Sequence, residues 1–129
     1  MASGMRGVAE MRSLLQKIAA KFPDRVAAAI YQEAQIEMTE AKRRTPVDTG
    51  TLRASGFVAE PERHGRNISV TLSFGGAAET YAIYVHENLE AFHKVGQAKF
   101  LESTLDESRP FMAARIAKRV DLNKMKEDL

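Results

Sequence analysis

The sequence predicts a single α+β domain, in which N-terminal and C-terminal helices pack against a small antiparallel sheet. Apolar residues recur at intervals of three and four before residue 45 and again beyond residue 97, which is the spacing of amphipathic helices. Apolar and polar residues alternate over residues 68–74, which is the pattern of a half-buried strand. The length of 129 residues suits one domain, assigned to residues 1–129, with its own core.

Residues 1–22 are predicted to form an N-terminal amphipathic helix. Its apolar stripe comprises Val8, Met11, Leu15, Ile18 and Phe22. Leu14 broadens this apolar surface, which fits packing either on the chain's own domain or on a neighbouring subunit. Residues 23–122 are predicted to form the core of the domain.

A second helix is predicted from Pro23 to about Arg44, because proline fits the first turn of a helix. Its predicted buried stripe comprises Val26, Ala27, Ile30, Tyr31, Ala34, Met38 and Ala41. Glu33, Glu37 and Glu40 are predicted to lie mostly outside that stripe.

A tight reversal is predicted after this helix, over residues 45–55. Pro46 cannot continue a helix, and it moves Thr45 out of the helical region of backbone space. Asp48 can accept a hydrogen bond from the backbone two residues on, and Gly50 can supply a positive φ. The segment is therefore predicted to be a defined turn and not a flexible linker.

A hairpin is predicted next, with strands over residues 52–59 and 68–74 and a turn over residues 61–67. The alternation in the second strand directs one face to the helices and the other away from them. The inward residues are Ile68, Val70, Leu72 and Phe74, and the outward residues are Ser69, Thr71 and Ser73.

Residues 81–87 fit either a strand or a short helix. The short helix is the predicted assignment, because Tyr81, Tyr84 and Val85 share one helical face. Residues 88–96 are rich in polar side chains and are predicted to form a loop.

Helical spacing resumes at Gln97. The apolar positions are Phe100, Leu101, Thr104 and Leu105, followed by Phe111, Met112, Ala114, Ile116 and Val120. Pro110 is predicted to break or restart this helix, because proline removes a backbone donor and clashes with the preceding turn. Residues 123–129 are predicted to be a frayed tail.

Composition excludes several classes of function. The chain has no cysteine, which excludes disulfides, cysteine-ligated zinc and thiol catalysis, and it fits a reducing compartment. No apolar run reaches the ~20 residues of a membrane span, and the first residues lack the apolar core of a signal peptide. A cytosolic product without a membrane partner is therefore expected.

The charge is distributed unevenly. Residues 1–53 carry nine Lys or Arg and six Asp or Glu, residues 54–108 carry four and eight, and residues 109–129 carry six and three. The three segments therefore sum to +3, −4 and +3, which gives the overall net charge of +2. This layout fits either ordinary solvated faces or complementary patches that meet between copies of the chain.

No catalytic, metal or cofactor site is predicted. His86 and His93 flank Glu87 at a spacing that matches no metal signature, so structural or surface roles are expected for them. The serines lie in no Gly-x-Ser-x-Gly elbow, and no pair of carboxylates indicates acid–base catalysis. An enzyme is not expected.

Lys42, Arg43, Arg44 and Arg53 form the best basic cluster in the sequence. They could contact DNA phosphates or an acidic neighbour, or they could simply be a solvated helix end whose cations favour the helix dipole. The alternative function is therefore a nucleic-acid-associated binding module based on the cluster at residues 42–53. It would use Lys42, Arg43, Arg44, Arg53, Arg115, Lys118 and Arg119.

Three segments together resemble the small tail-completion proteins of long-tailed bacteriophages, of the minor tail protein Z type. The first is the motif turn, which comprises Pro46, Val47, Asp48, Thr49, Gly50, Thr51, Leu52, Arg53, Ala54 and Ser55. The second, residues 81–87, is rich in tyrosine and ends in His86 and Glu87. The third, residues 96–102, resembles the start of the closing helix of that family, although Lys99 stands where proline is common.

The resemblance implies a structural virion protein made in the bacterial host cytoplasm and located at the neck of the phage, between head and tail. It implies a homo-oligomeric ring, expected to be a hexamer, around the path of the DNA. The implied partners are further copies of the chain, a head connector or head-closure protein, and a tail terminator or tail tube protein. Passing DNA would be contacted without sequence specificity. His86 and Glu87 join the basic cluster as candidate subunit or DNA contacts.

Overall fold

The computed structural model describes residues 4–45, 53–65, 67–75, 79–85 and 99–128, and it confirms the α+β class. The helices are α1 (Gly4–Lys21), α2 (Pro23–Arg44) and α3 (Lys99–Asp128). The strands are β1 (Phe57–Val58), β2 (Glu62–His64), β3 (Asn67–Phe74) and β4 (Glu79–Val85).

The junction of α1 and α2 forms as the sequence predicts. Pro23 occupies the first turn of α2, and Asp24 lies in the same turn. The Phe22 amide still donates to the Ile18 carbonyl at 2.7 Å, and its carbonyl accepts from the Val26 amide at 3.2 Å, so the chain bends with its backbone groups paired. α1 packs on α3, α2 and β4 of its own domain.

β3 is the central strand of an antiparallel sheet. It pairs with β4 along one edge, and with β1 and β2 along the other. The register changes by one residue between the Val58–Leu72 pair and the Glu62–Ser69 pair. The extra residue makes a β-bulge between β1 and β2, and Pro61 lies in this edge segment of the sheet, where proline is tolerated.

The predicted parity of β3 is confirmed. The inward side chains of Ile68, Val70, Leu72 and Phe74 are buried and belong to the core shared with the helices. The outward residues of β3 are only partly buried. α2 contacts the sheet through β3 and β1, and it also contacts α3.

The first strand and the turn of the predicted hairpin are wrong in detail. Residues 53–54 have helical geometry, so the predicted strand over residues 52–59 shrinks to β1. Three of the seven residues in the predicted turn over residues 61–67 form β2, and the reversal that follows β2 includes Gly65, whose φ is +63°.

The segment predicted as a short helix over residues 81–87 is the strand β4, up to its end at Val85. Its pairing with β3 buries Tyr81, Ile83 and Val85 on the inner face. The burial of alternate residues, which is typical of a strand, therefore describes this segment, and the grouping of Tyr81 with Tyr84 on one helical face does not.

Pro110 does not break the C-terminal helix. α3 is continuous through it, and its buried side chains keep one stripe on both sides of the proline, from Leu101 through Met112 to Val120. Pro110 is exposed, so water can satisfy the carbonyl that the missing amide leaves unpaired. Phe111 and Ala114, two apolar positions of the predicted helical pattern, are exposed. α3 reaches Asp128, and the fraying of residues 123–129 stays a prediction.

Candidate functional site

A hydrogen bond joins Arg53, within the motif turn, to Thr45, the residue that precedes the turn. Arg53 Nη2 donates to the Thr45 carbonyl at 2.8 Å, across eight residues of chain. Thr45 itself has the extended conformation that Pro46 predicts, with φ −71° and ψ 131°, and its hydroxyl donates to the Ala41 carbonyl at 3.0 Å. Residues 46–52, with the positive φ predicted for Gly50, lie outside the described residues.

The exit from the motif turn is closely packed against α2 and the sheet. The Gly75 amide donates to Ser55 Oγ at 2.8 Å. A Cβ atom on Gly56 would lie 2.6 Å from Lys42 Cε, 2.8 Å from Phe74 Cε1 and 2.9 Å from Met38 Sδ. The chain therefore needs glycine where it leaves the motif turn and enters β1.

The basic cluster is divided by the fold. The Arg44 guanidinium donates to both carboxylate oxygens of Glu107 on α3 at 2.8 Å, and to Glu40 at 3.1 Å. These contacts raise the pKa of Arg44, and the same ion pair lowers the pKa of Glu107. Arg44 thus joins the end of α2 to α3, whereas Arg43 pairs with Glu40 on its own helix and its side chain is 76% exposed.

Other cations of the nucleic-acid alternative also have protein partners. Arg115 and Arg119 pair with carboxylates of α2, and Arg53 with the Thr45 carbonyl. Arg43 and Lys118 are the members that the structure leaves exposed. His86 and Glu87 lie outside the described residues, so their contact role stays a prediction.

The arrangement that the sequence analysis missed is a buried ionic cluster between α2 and α3. Glu33 and Glu37, expected outside the buried stripe, are 0% and 2% exposed. Arg115 bridges them, with Nε 3.4 Å from Glu33 Oε2 and Nη2 3.4 Å from Glu37 Oε2. Arg119 pairs with Glu33 Oε1, and the Ser108 hydroxyl donates to Glu37 Oε1 at 2.8 Å.

Glu37 has a raised proton affinity in this cluster. Burial, with a further contribution from the adjacent Glu33 side chain, raises the pKa of Glu37 to about 8, while Ser108 and Arg115 act in the opposite direction. Near neutral pH, Glu37 therefore holds a proton. The spacing could have revealed the cluster, because Glu33 and Glu37 are four residues apart on α2, as Arg115 and Arg119 are on α3.

The buried ionic cluster stabilises the packing of two helices and does not resemble a catalytic centre. Both carboxylates are enclosed, which keeps a substrate from reaching them. Among the residues that the structure describes, no group of three or more His, Cys, Asp or Glu could hold a metal ion. Within the same part of the chain, no helix is long and apolar enough to cross a membrane.

The surface carries an open apolar depression beside the junction of α1 and α2. It has a volume of about 460 Å³ and is lined by Lys17, Ile18, Ala20, Lys21 and Phe22. The Arg25 guanidinium lies over the Phe22 ring, 4.4 Å from its centre. Elsewhere, large apolar side chains are exposed at Phe57 (61%), Phe111 (59%), Ile36 (50%) and Leu14 (47%).

One comparison with known proteins identifies the family. The sequence model of the HK97-gp10-like family, described as "Bacteriophage HK97-gp10, putative tail-component", matches residues 9–103. The match begins within α1 and ends within α3, so it includes the whole sheet and the motif turn. No curated protein and no solved structure matches the chain significantly.

The fold is that of a small α+β protein, and the family match assigns it to the phage tail-component class. Because the match spans well over half of the sequence, the chain belongs to the HK97-gp10-like family.

Proposed function

We propose that this chain is a structural protein of the neck of a tailed bacteriophage, of the minor tail protein Z type. In this role it completes the tail and joins it to the head connector. The observation that carries the proposal is the family match over residues 9–103, which covers the motif turn by which the sequence resembles tail-completion proteins. The work of such a protein is assembly and not catalysis.

The proposed form is a homo-oligomeric ring, a hexamer, through which DNA passes without sequence-specific contact. Its partners are a head connector or head-closure protein on one side and a tail terminator or tail tube protein on the other. Exposed apolar side chains support this role, since a protein that works in a ring needs surface to bury against its neighbours. The divided basic cluster supports assembly over nucleic-acid binding, because Arg44, Arg53, Arg115 and Arg119 already have protein partners.

Deletion of the gene from the phage or prophage that encodes the chain tests this proposal. We expect filled heads and tails to accumulate without joining, and infectivity to return when the gene is supplied in trans. Electron micrographs of lysates with and without the complementing gene provide the measurement. Normal yield of joined particles without the gene would refute the neck assignment.

A further inference from the structure

We propose that neighbouring copies of this chain associate head to tail, with Phe57 of one copy inserted into the apolar depression beside the α1–α2 junction of the next. The inference rests on the proposed ring and names the two surfaces that build it. The insertion surface comprises Phe57, Glu60 and Glu62, and the receiving surface comprises Lys17, Ile18, Lys21 and Phe22.

The insertion surface combines an apolar anchor with negative charge. Phe57 is 61% exposed on β1, the most exposed of the large apolar side chains in the described part of the chain. Glu60 and Glu62 follow on the bulged edge of the sheet, and both are exposed. The phenylalanine, left in water on a strand where aromatic residues ordinarily pack, offers apolar area for a contact that a single copy does not make, and Glu62 lies further along the same edge of the sheet.

The receiving surface has the complementary chemistry. Ile18 and Phe22 supply apolar walls, and the exposed Lys17 and Lys21 supply positive charge at the rim. The volume of about 460 Å³ is ample for an aromatic ring, since an apolar cavity of about 150 Å³ already holds benzene. Within the described residues, neither lysine forms an ion pair with the chain itself.

Phe57 lies too far from the depression to enter it within one copy, although Glu62 adjoins Arg63, whose guanidinium pairs with Asp24 at the N-terminal end of α2 at 2.9 Å. Gly56, which precedes Phe57, packs against Met38 and Lys42 in the second half of α2, whereas the depression lies at the N-terminal end of that helix. The fifteen residues from Pro23 to Met38 span roughly 22 Å at the rise of an α-helix. Contact between Phe57 of one copy and the depression of the next joins two different surfaces and is therefore heterologous, and such contacts form a ring when the rotation between copies closes.

The absence of cysteine from the sequence permits a direct test by cross-linking. The full-length chain with both Glu60→Cys and Ala20→Cys should form a ladder of disulfide-linked oligomers under mild oxidation, because each copy presents one cysteine to each neighbour. Either substitution alone should give no more than traces of linked dimer, since a heterologous contact does not bring a residue near its own equivalent. Ala20→Cys with Ala114→Cys, an exposed residue of α3, is the matched control.

Equilibrium sedimentation of variants supplies a second measurement. Phe57→Ala should raise the concentration needed for half-association at least about tenfold, whereas Phe111→Ala, equally exposed, should leave it unchanged. Lys17→Glu with Lys21→Glu should weaken association, and the addition of Glu60→Lys with Glu62→Lys to the same chain should restore it.

The outcomes separate the inference from the proposed function. If the variant with Glu60→Cys and Ala20→Cys forms no disulfide-linked oligomers, in solution or in assembled particles, the inference is overturned. If rings still form or the protein still occupies the neck in that case, the proposed function stands and another surface builds the ring. If the chain remains monomeric and is missing from the neck, both the inference and the proposed function are overturned.

Discussion

Gly56 shows how a single residue fixes the exit of the motif turn. Two of the atoms that a Cβ would meet, Lys42 Cε and Met38 Sδ, belong to flexible side chains that can move aside. The third, Phe74 Cε1, belongs to a fully buried ring in the core. The phenylalanine therefore sets the cost of any larger residue at this position, because buried rings in a close-packed core have little room to shift.

Replacement of Gly56 by alanine should lower the free energy of unfolding by about 1–3 kcal/mol, the usual cost of overpacking a core. Urea denaturation of the purified variant measures this loss. The matched control is Gly65→Asn, because Gly65 has φ +63° and open space around it, and asparagine tolerates that conformation. The control should stay close to wild type. An equally stable Gly56→Ala protein would show that Phe74 does not hold the backbone in this position.

Arg43 and Arg44 are neighbours in sequence with different roles in the structure. Arg44→Glu would place a third carboxylate between Glu40 and Glu107, and it should lower the melting temperature clearly. Arg43→Glu should leave the melting temperature almost unchanged, because exposed ion pairs contribute little to stability. Thermal melts followed by circular dichroism test both variants. Equal destabilisation by the two substitutions would contradict the role of Arg44 in joining α2 to α3.

At the scale of elements, the contact between α2 and α3 contains the buried ionic cluster. A pKa of about 8 for Glu37 in the folded protein, against 4.5 for an ordinary glutamate, means that the folded state holds an extra proton between these two pH values. The contribution of Glu37 to stability is therefore fully present below pH 4.5. It decreases as pH rises to about 8, and is lost above that.

Glu37→Gln removes this dependence, because glutamine resembles the protonated carboxyl group and does not titrate. The free energy of unfolding of the wild type, relative to that of the variant, should fall by more than about 1 kcal/mol between pH 5 and pH 9. Urea denaturation at several pH values measures the difference, and Glu60→Gln at an exposed position serves as the control. Parallel pH profiles for wild type and Glu37→Gln would show that Glu37 is ionised throughout this range.

The elements differ in how well their sequence predicts them. For β3, the sequence predicts correctly which side chains face the core, because strict alternation of apolar and polar residues fits only a strand. β4 is not predicted correctly, because two tyrosines three residues apart fit a helix until the pairing with β3 decides. Pro110 misleads for a similar reason, since its effect depends on whether water reaches the carbonyl that it leaves unpaired. Glu33 and Glu37 were predicted to lie outside the buried stripe because the periodicity of α2 alone gives no sign of their partners. Those partners lie about eighty residues away in the sequence, on α3.

At the scale of the whole molecule, the three helices and the sheet form a domain whose remaining exposed features suit contact with other proteins. Four of the seven cations of the nucleic-acid alternative, Arg44, Arg53, Arg115 and Arg119, pair within the fold, and the carboxylates of the buried ionic cluster are enclosed. The apolar depression and the exposed Phe57 remain on the surface. Together with membership of the HK97-gp10-like family, these features fit a component that acts by assembly.

The most direct test of the neck assignment is cryo-electron microscopy of joined phage particles in which the chain carries a small C-terminal tag that binds a gold-labelled antibody fragment. We expect the label at the junction of head and tail only, and a ring of density there into which this α+β domain fits in successive, equally rotated copies. Label distributed along the tail tube, or particles without label, would contradict the proposal that the chain completes the tail at the neck.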